Sequence, residues 1–248
     1  MPQPEPPKLG NTTTDIIASL AKGTTGMVPI VGSLIAEIVG NVIPNQRVDR
    51  IVRFVELLEE RLGKVEQEVL QARFAQEAVV DLFEDAFTQA ARATTQERLE
   101  HIANIVAQGI APEEFDEAET KRMLWILGQV NDAEIVVLRS RLAQTGEDHD
   151  ADREFHEKHK ILLAPNATHL GSSDDEFEEA ALKDSYRQHL HDMGLLRKRF
   201  RKPKRGELPE FDDKTGMMKA GGSDVTRFGK MFLRYLNLIP DWYSQRRQ

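Results

Sequence analysis

Apolar residues at Val48, Ile51, Val55, Leu58, Leu62, Val65, Val69 and Ala72 are separated by alternating steps of three and four. A helix turns once every ~3.6 residues, so this spacing gathers them on one stripe. A strand cannot do so, because its side chains alternate between faces. Val52, Phe54, Leu57 and Leu70 widen the stripe beyond a two-stranded coiled-coil seam and suit a helical bundle. Phe74, Val79, Leu82, Phe83 and Phe87 carry the pattern to Arg92. As one helix this is about 45 residues, or about 65–70 Å at ~1.5 Å per residue, with Gly63 as a bend. Two partners fit such a stripe: later helices of the same chain, or a second copy through residues 47–92.

The segment before it, Gly26–Arg47, is the most apolar run of the chain, and Glu37 is its only charge before Arg47. Pro29 suits a first helical turn, and Pro44 stops a helix at Ile43. Gly32, Ala36 and Gly40 recur every four residues and make a small-residue face that lets another backbone approach, with Val28 one step before them. At about 22 Å the helix is short for a bilayer core of ~30 Å. Two readings stay open: a buried helix of a bundle, or a helix that enters a membrane or self-assembles.

Residues 1–14 are rich in proline and lack a basic start followed by an apolar run. They read as a disordered leader and not as a signal peptide. Asp15–Lys22 is a short amphipathic helix that turns at Gly23 and Gly26. Thr94-Thr95-Gln96-Glu97 has capping-box spacing and opens a helix carrying Leu99, Ile102, Ala103 and Val106. Glu113–Val130 reads as the next helix, and Asn131 with Glu134 opens another. The bundle thus spans 15–145. Residues 146–172 are a charged linker with room for a helical turn around Phe155.

From Ser173 the pattern changes. Ser173-Asp174-Asp175-Glu176 caps a helix that ends at Gly194. A basic arm follows: Arg197, Lys198, Arg199, Arg201, Lys202, Lys204 and Arg205 crowd together, interrupted by Phe200. Short β-capable pieces lie around Thr215 and Gly216, and Ser223-Asp224-Val225-Thr226 opens a last helix. Helix, hairpin, helix over 173–240 is the layout of a winged helix, with 241–248 as a tail. The expected fold is therefore mainly α: an N-terminal helical bundle with one very long helix, and a C-terminal winged-helix-like α+β domain.

The chemistry on offer is sparse. The chain has no cysteine, which excludes disulfides and thiolate chemistry and suits a reducing cytosol. It has no GxxxxGK[ST] loop, no GxGxxG after a strand and no GxSxG elbow. His156 and His159 are three apart, but no third ligand of fixed spacing accompanies them. Adjacent Glu84 and Asp85 read as surface charge. A net charge of −8 argues against general nucleic-acid binding by the whole chain. The basic arm can still meet phosphates, anionic lipid or an acidic partner. No cofactor and no metal site is expected.

The order of these pieces resembles the Abi-alpha family of bacterial proteins, named for abortive infection. Gln46–Ile51 (QRVDRI) is similar to the family's helix start. Glu100–Ala107 (EHIANIVA) resembles its A-N-L-L-A helix, with Ile105-Val106 in place of the leucines. Val130–Ile135 (VNDAEI) resembles its L-S-P-x-D-A-x-I start, with Asn131 where Ser-Pro is usual. His189–Leu196 and Val225–Phe232 are similar to its C-terminal segment, with Arg227 and Phe228 between Thr226 and Gly229. The resemblance implies a non-enzymatic role in phage defence and transfers no catalytic residue. Expected partners are membrane lipid, a second copy and, in last place, nucleic acid. The expected location is the cytoplasm, with association at the inner membrane.

Overall fold

The computed structural model describes residues 47–63, 65–112, 114–142, 149–165, 168–169, 171–200, 203–204, 206–212 and 216–239. The described chain is mainly helical, with one small two-stranded sheet near its C-terminus. It divides into two compact units, 1–128 and 129–248. The division falls between Gly128 and Gln129.

The first unit contains α1 (Val48–Leu62), α2 (Gln67–Phe74), α3 (Glu77–Arg92), α4 (Gln96–Ile110) and α5 (Glu117–Gln129). The α1 stripe is buried as its spacing requires: Ile51, Val55, Leu58 and Leu62 are inside, with Phe54 and Leu57 widening it. It packs against α4 and α3 of the same chain. Phe87 joins α3 to α1 through an edge contact with Phe54, ring centroids 5.5 Å apart. Each such buried side chain contributes roughly 1.5–3 kcal/mol. An exposed pair such as Arg53–Glu56, at 3.0 Å, contributes at most about 1 kcal/mol, so the stripe decides the fold.

The very long helix is not formed. The stretch 48–92 breaks after Leu62 and again at Ala75–Gln76, where Glu66 and Gln76 turn extended. Two physical reasons apply. Nine residues separate Leu70 from Val79, which puts them on opposite faces of a continuous helix; breaking the chain lets both be buried. The partner helices α3, α4 and α5 have 16, 15 and 13 residues, about 20–24 Å each, and cannot cover a stripe of 65 Å. Beyond the break the seam fails: Val65 and Val69 are half-buried, and Ala72 is exposed.

Polar groups fix the angles between these helices. Arg61 Nε donates to Asn104 Oδ1 at 2.5 Å and Nη1 to the Leu57 carbonyl at 2.8 Å. Burial pushes its guanidinium below the ordinary value, opposed by nearby Glu100. Gln89 donates to the Leu124 carbonyl at 2.9 Å, and Arg98 donates to that of Leu127. The Leu127 carbonyl belongs to the last turn of α5, where intrahelical partners run out. Thr95, not Thr94, caps α4, accepting from the Arg98 N–H at 3.1 Å.

The second unit contains α6 (Asp132–Ser140), α7 (His149–Lys158), α8 (Lys160–Leu163), α9 (Asp174–Asp192), β1 (Leu196–Phe200), β2 (Ala220–Val225) and α10 (Arg227–Tyr235). The stretch read as a linker is therefore largely helical. Phe155 explains it: the Arg139 guanidinium of α6 lies 3.9 Å from its ring, and His159 packs on it at 4.8 Å. Full capping boxes open α6 at Asn131 and α9 at Ser173. At the end of α9, Gly194 has a left-handed φ of 71°. Its N–H reaches the His191 carbonyl, and the Leu195 N–H reaches that of Leu190, closing a Schellman turn.

That turn starts β1, which pairs antiparallel with β2 in the register Leu196↔Val225 and Arg197↔Asp224. Thr226 caps α10 through the Gly229 N–H at 2.9 Å; Ser223 to Val225, read as the helix opening, belong to β2. Leu190, Leu195, Leu196, Val225, Phe232, Leu233 and Leu236 form the core of this corner.

Among the described residues no helix is long and apolar enough to cross a membrane. Val28, Gly32, Ala36 and Gly40 lie outside the described residues. So do the leader, the first short helix and the tail.

Gly229 has no room for a side chain. A Cβ there would meet Val225 Cγ1 at 2.8 Å and press into the Leu195 carbonyl oxygen. Gly229→Ala is expected to lower the unfolding free energy by about 1–3 kcal/mol, read as a shift in denaturation midpoint at constant slope. An unchanged midpoint would refute the close approach of α10 to the β1 entry.

Candidate functional site

The basic arm is part of an extended hairpin. Lys198 and Arg199 of β1 sit opposite Ser223 and Gly222, and the ladder is irregular between Arg199 and Phe200. The chain then leaves the ladder and rejoins it at Glu210–Phe211, where the Lys219 N–H donates to the Glu210 carbonyl at 2.8 Å and Phe211 bridges Met218. Gly216, with a φ of 65°, forms the turn and donates to the Asp212 carbonyl at 2.8 Å. Phe211 and Met218 thus flank Thr215 and Gly216, around which the sequence placed β-capable pieces; Thr215 itself is outside the described residues.

Alternation of strand side chains puts Arg197, Arg199 and Asp224 on one face and Lys198 on the other. Arg199 reaches diagonally to Asp224, 3.3 Å between Nη1 and Oδ1. Arg199 is exposed and Asp224 half-buried, so the pair orients Arg199 more than it stabilises the strand. Arg197, Lys198 and Lys204 are exposed, and the Lys204 backbone N–H is held by Glu207 Oε2 at 3.1 Å. Arg201, Lys202 and Arg205 lie outside the described residues. The structure thus brings Arg197, Lys198 and Arg199 together and places Lys204 on the excursion between the ladder pieces.

The cations alternate with large apolar side chains that face water. Phe200, Phe211, Met217 and Met218 are exposed, and Leu208 is 89% exposed. From Leu196 to Val225 the sequence holds nine Lys and Arg against five Asp and Glu. The preceding helix is its electrostatic opposite: α9 holds seven Asp and Glu against two Lys and Arg.

Beside α9 runs a shallow apolar groove. Two open cavities of about 350 Å³ and 280 Å³ share Ile161, Glu179 and Lys183 in their walls. Lys183 fixes the groove: Nζ donates to the Ile161 carbonyl at 2.9 Å and pairs with Glu179 at 2.8 Å. Ile161 is left 78% exposed on its lip. Lys158, His159 and Tyr186 line one side of it.

Three features were missed in the sequence. Glu134 is buried, and it both closes the α6 capping box and holds His189 of α9, 2.7 Å between Oε1 and Nδ1. His191 meets Ser223 Oγ at 3.0 Å and so ties α9 to β2. The groove is the third. The capping box was the only signal for Glu134, since its partner lies 55 residues away. Two histidines two apart do face different ways, but each finds its own neighbour. Glu84 and Asp85 are exposed on α3. Among the described residues no group of three or more His, Asp or Glu is placed to hold a metal ion.

Comparison with family models, with curated proteins and with solved structures finds no match to this chain.

Glu134→Ala removes a cap and a buried hydrogen-bond partner together, so it is expected to cost about 2 kcal/mol of stability. Ser173→Ala removes only an exposed cap and is expected to cost about 1 kcal/mol. Equal losses in chemical denaturation would refute the clamp between α6 and α9.

Proposed function

We propose that this chain is a non-enzymatic anti-phage effector of the abortive-infection type. It acts by binding and assembly, and its apolar segment Val28–Ile43 is the element that engages the inner membrane or another copy. The observation that carries this reading is the pairing of exposed large apolar side chains with charge on the hairpin and along α9. Such surfaces bind large partners, since isolated charges alone neither exclude water nor give affinity. The resemblance to the Abi-alpha family supplies the defence context. Gly32, Ala36 and Gly40 would form the packing face of the apolar segment.

A second reading is a nucleic-acid-binding regulator working through a winged-helix-like C-terminal unit. In its favour are Arg197, Lys198 and Lys204 exposed on a hairpin that follows a helix. Against it stands α9, which would have to enter the major groove with Asp174, Asp175 and Glu176 at its leading end. Carboxylates between two phosphate backbones are repelled, so contact through the hairpin alone is the form this reading takes.

Fractionation of cells with and without phage infection separates the two. Full-length protein is expected to move to the membrane fraction on infection, while a chain starting at Asn45 stays behind. Gly40→Leu is expected to abolish toxicity and leave the fold intact. Toxicity that survives Gly40→Leu argues against the packing face. Salt-sensitive binding to duplex DNA, lost on charge reversal at Arg199, Arg201 and Lys202, would favour the second reading.

A further inference from the structure

Exposed large apolar side chains are not scattered over the described residues. Apart from Trp125, which lies under the Arg122 guanidinium at 4.3 Å, and Phe177, which helical spacing turns away from Glu179, each belongs to one of two surfaces of the second unit. One is the groove side, with Ile161 on the lip and Leu182 along α9. The other is the hairpin, with Phe200, Leu208, Phe211, Met217 and Met218. Lone exposed apolar residues need no explanation, but two concentrations of them do.

Their charges are opposite. The groove side is walled by Glu176 and Glu179 and flanked by Asp174, Asp175 and Glu178, with Lys183 engaged by Glu179. Lys158 and His159 line its far side. The hairpin presents Arg197, Lys198 and Lys204 beside its apolar side chains. Among the described residues the sheet has two strands, so each is an edge.

We propose that the hairpin of one copy docks on the α8–α9 groove of a second copy. Its apolar side chains cover Ile161 and Leu182, and its cations face the carboxylates of α9. One chain carries both halves, so the contact repeats reciprocally in a dimer or runs head to tail if the rotation does not close. A polyanion such as duplex DNA would satisfy the cations but leave the apolar side chains and the groove uncovered. This inference does not depend on the defence role, and it uses a different surface from residues 47–92.

Sedimentation equilibrium of the full chain from about 1 μM to about 1 mM tests it, because a weak contact saturates within that range. Wild type is expected to self-associate, and less so at about 1 M salt, where screening acts within ~3 Å. Arg197→Glu with Lys198→Glu, and separately Asp175→Lys with Glu179→Lys, should each weaken self-association by about tenfold or more. Mixing the two doubly reversed proteins should restore it, since each hairpin then meets a groove of opposite charge. Leu208→Ser with Phe211→Ser should weaken it without a change in salt dependence. Thermal melts confirm that each variant is folded, and all the substituted side chains are exposed. A wild type that stays monomeric throughout overturns the proposal. So does self-association that neither reversal changes, or a mixture that fails to reassociate. A monomer whose hairpin instead binds duplex DNA, or vesicles containing an anionic phospholipid, also overturns it and assigns the hairpin to that polyanion.

Discussion

Covering the apolar stripe of α1 is the constraint on which the first unit depends. Its residues fall on one face only if the chain is helical, and they leave water only if other helices lie along them. The available partners are each about 20–24 Å long. A stripe longer than its cover would strand apolar surface in solvent, at ~25 cal/mol per Å². The chain therefore stops α1 at Leu62, turns, and brings Val79, Leu82, Phe83 and Phe87 back onto the same core. Gly109 serves the same end: a Cβ there would strike the Thr120 methyl and hydroxyl, so its hydrogen lets α4 and α5 approach.

The second unit is fixed differently, by terminations more than by a long stripe. Only Leu190 of α9 is buried, so this helix is held by its ends and by the Lys183 bond to Ile161. Ser173 closes the first turn, and Gly194 closes the last and aims the chain into β1. The Thr226 N–H and hydroxyl reach the Leu195 and Gly194 carbonyls at 3.0 and 2.7 Å, so the α10 start is bonded to the α9 end. Glu134 adds the link to α6. A buried carboxylate with two hydrogen-bonded neighbours is positionally strict, because losing either one leaves it desolvated and under-satisfied.

What was legible in the sequence follows from this difference. Local rules were readable: the caps at Asn131 and Ser173, the left-handed Gly194, and the face carried by Leu99, Ile102, Ala103 and Val106. Helix length was not, because periodicity records which way residues point and says nothing about how much cover exists. The helical character of 149–163 was hidden because its stabilisers are Arg139 and Phe155 of different helices. The hairpin was legible as a basic arm. Its ladder was not, since LRKRF and AGGSDV show no hydrophobic alternation, and only Leu196 and Val225 are buried. The groove arises where α8 meets α9, and a pairing set by the chain reversal between them has no sequence period.

The separation of charge between α9 and the hairpin bears on the whole chain. A net charge of −8 keeps copies apart at long range in dilute solution. In the proposed contact the balance would reverse, because the cations of the hairpin would lie opposite the anions of α9 and the exposed apolar side chains would lose water on both. Within a Debye length of ~8 Å at physiological salt, that local pairing would have to outweigh the average repulsion. If the proposed contact forms, the chain would respond steeply to concentration, dispersed when scarce and associated when crowded.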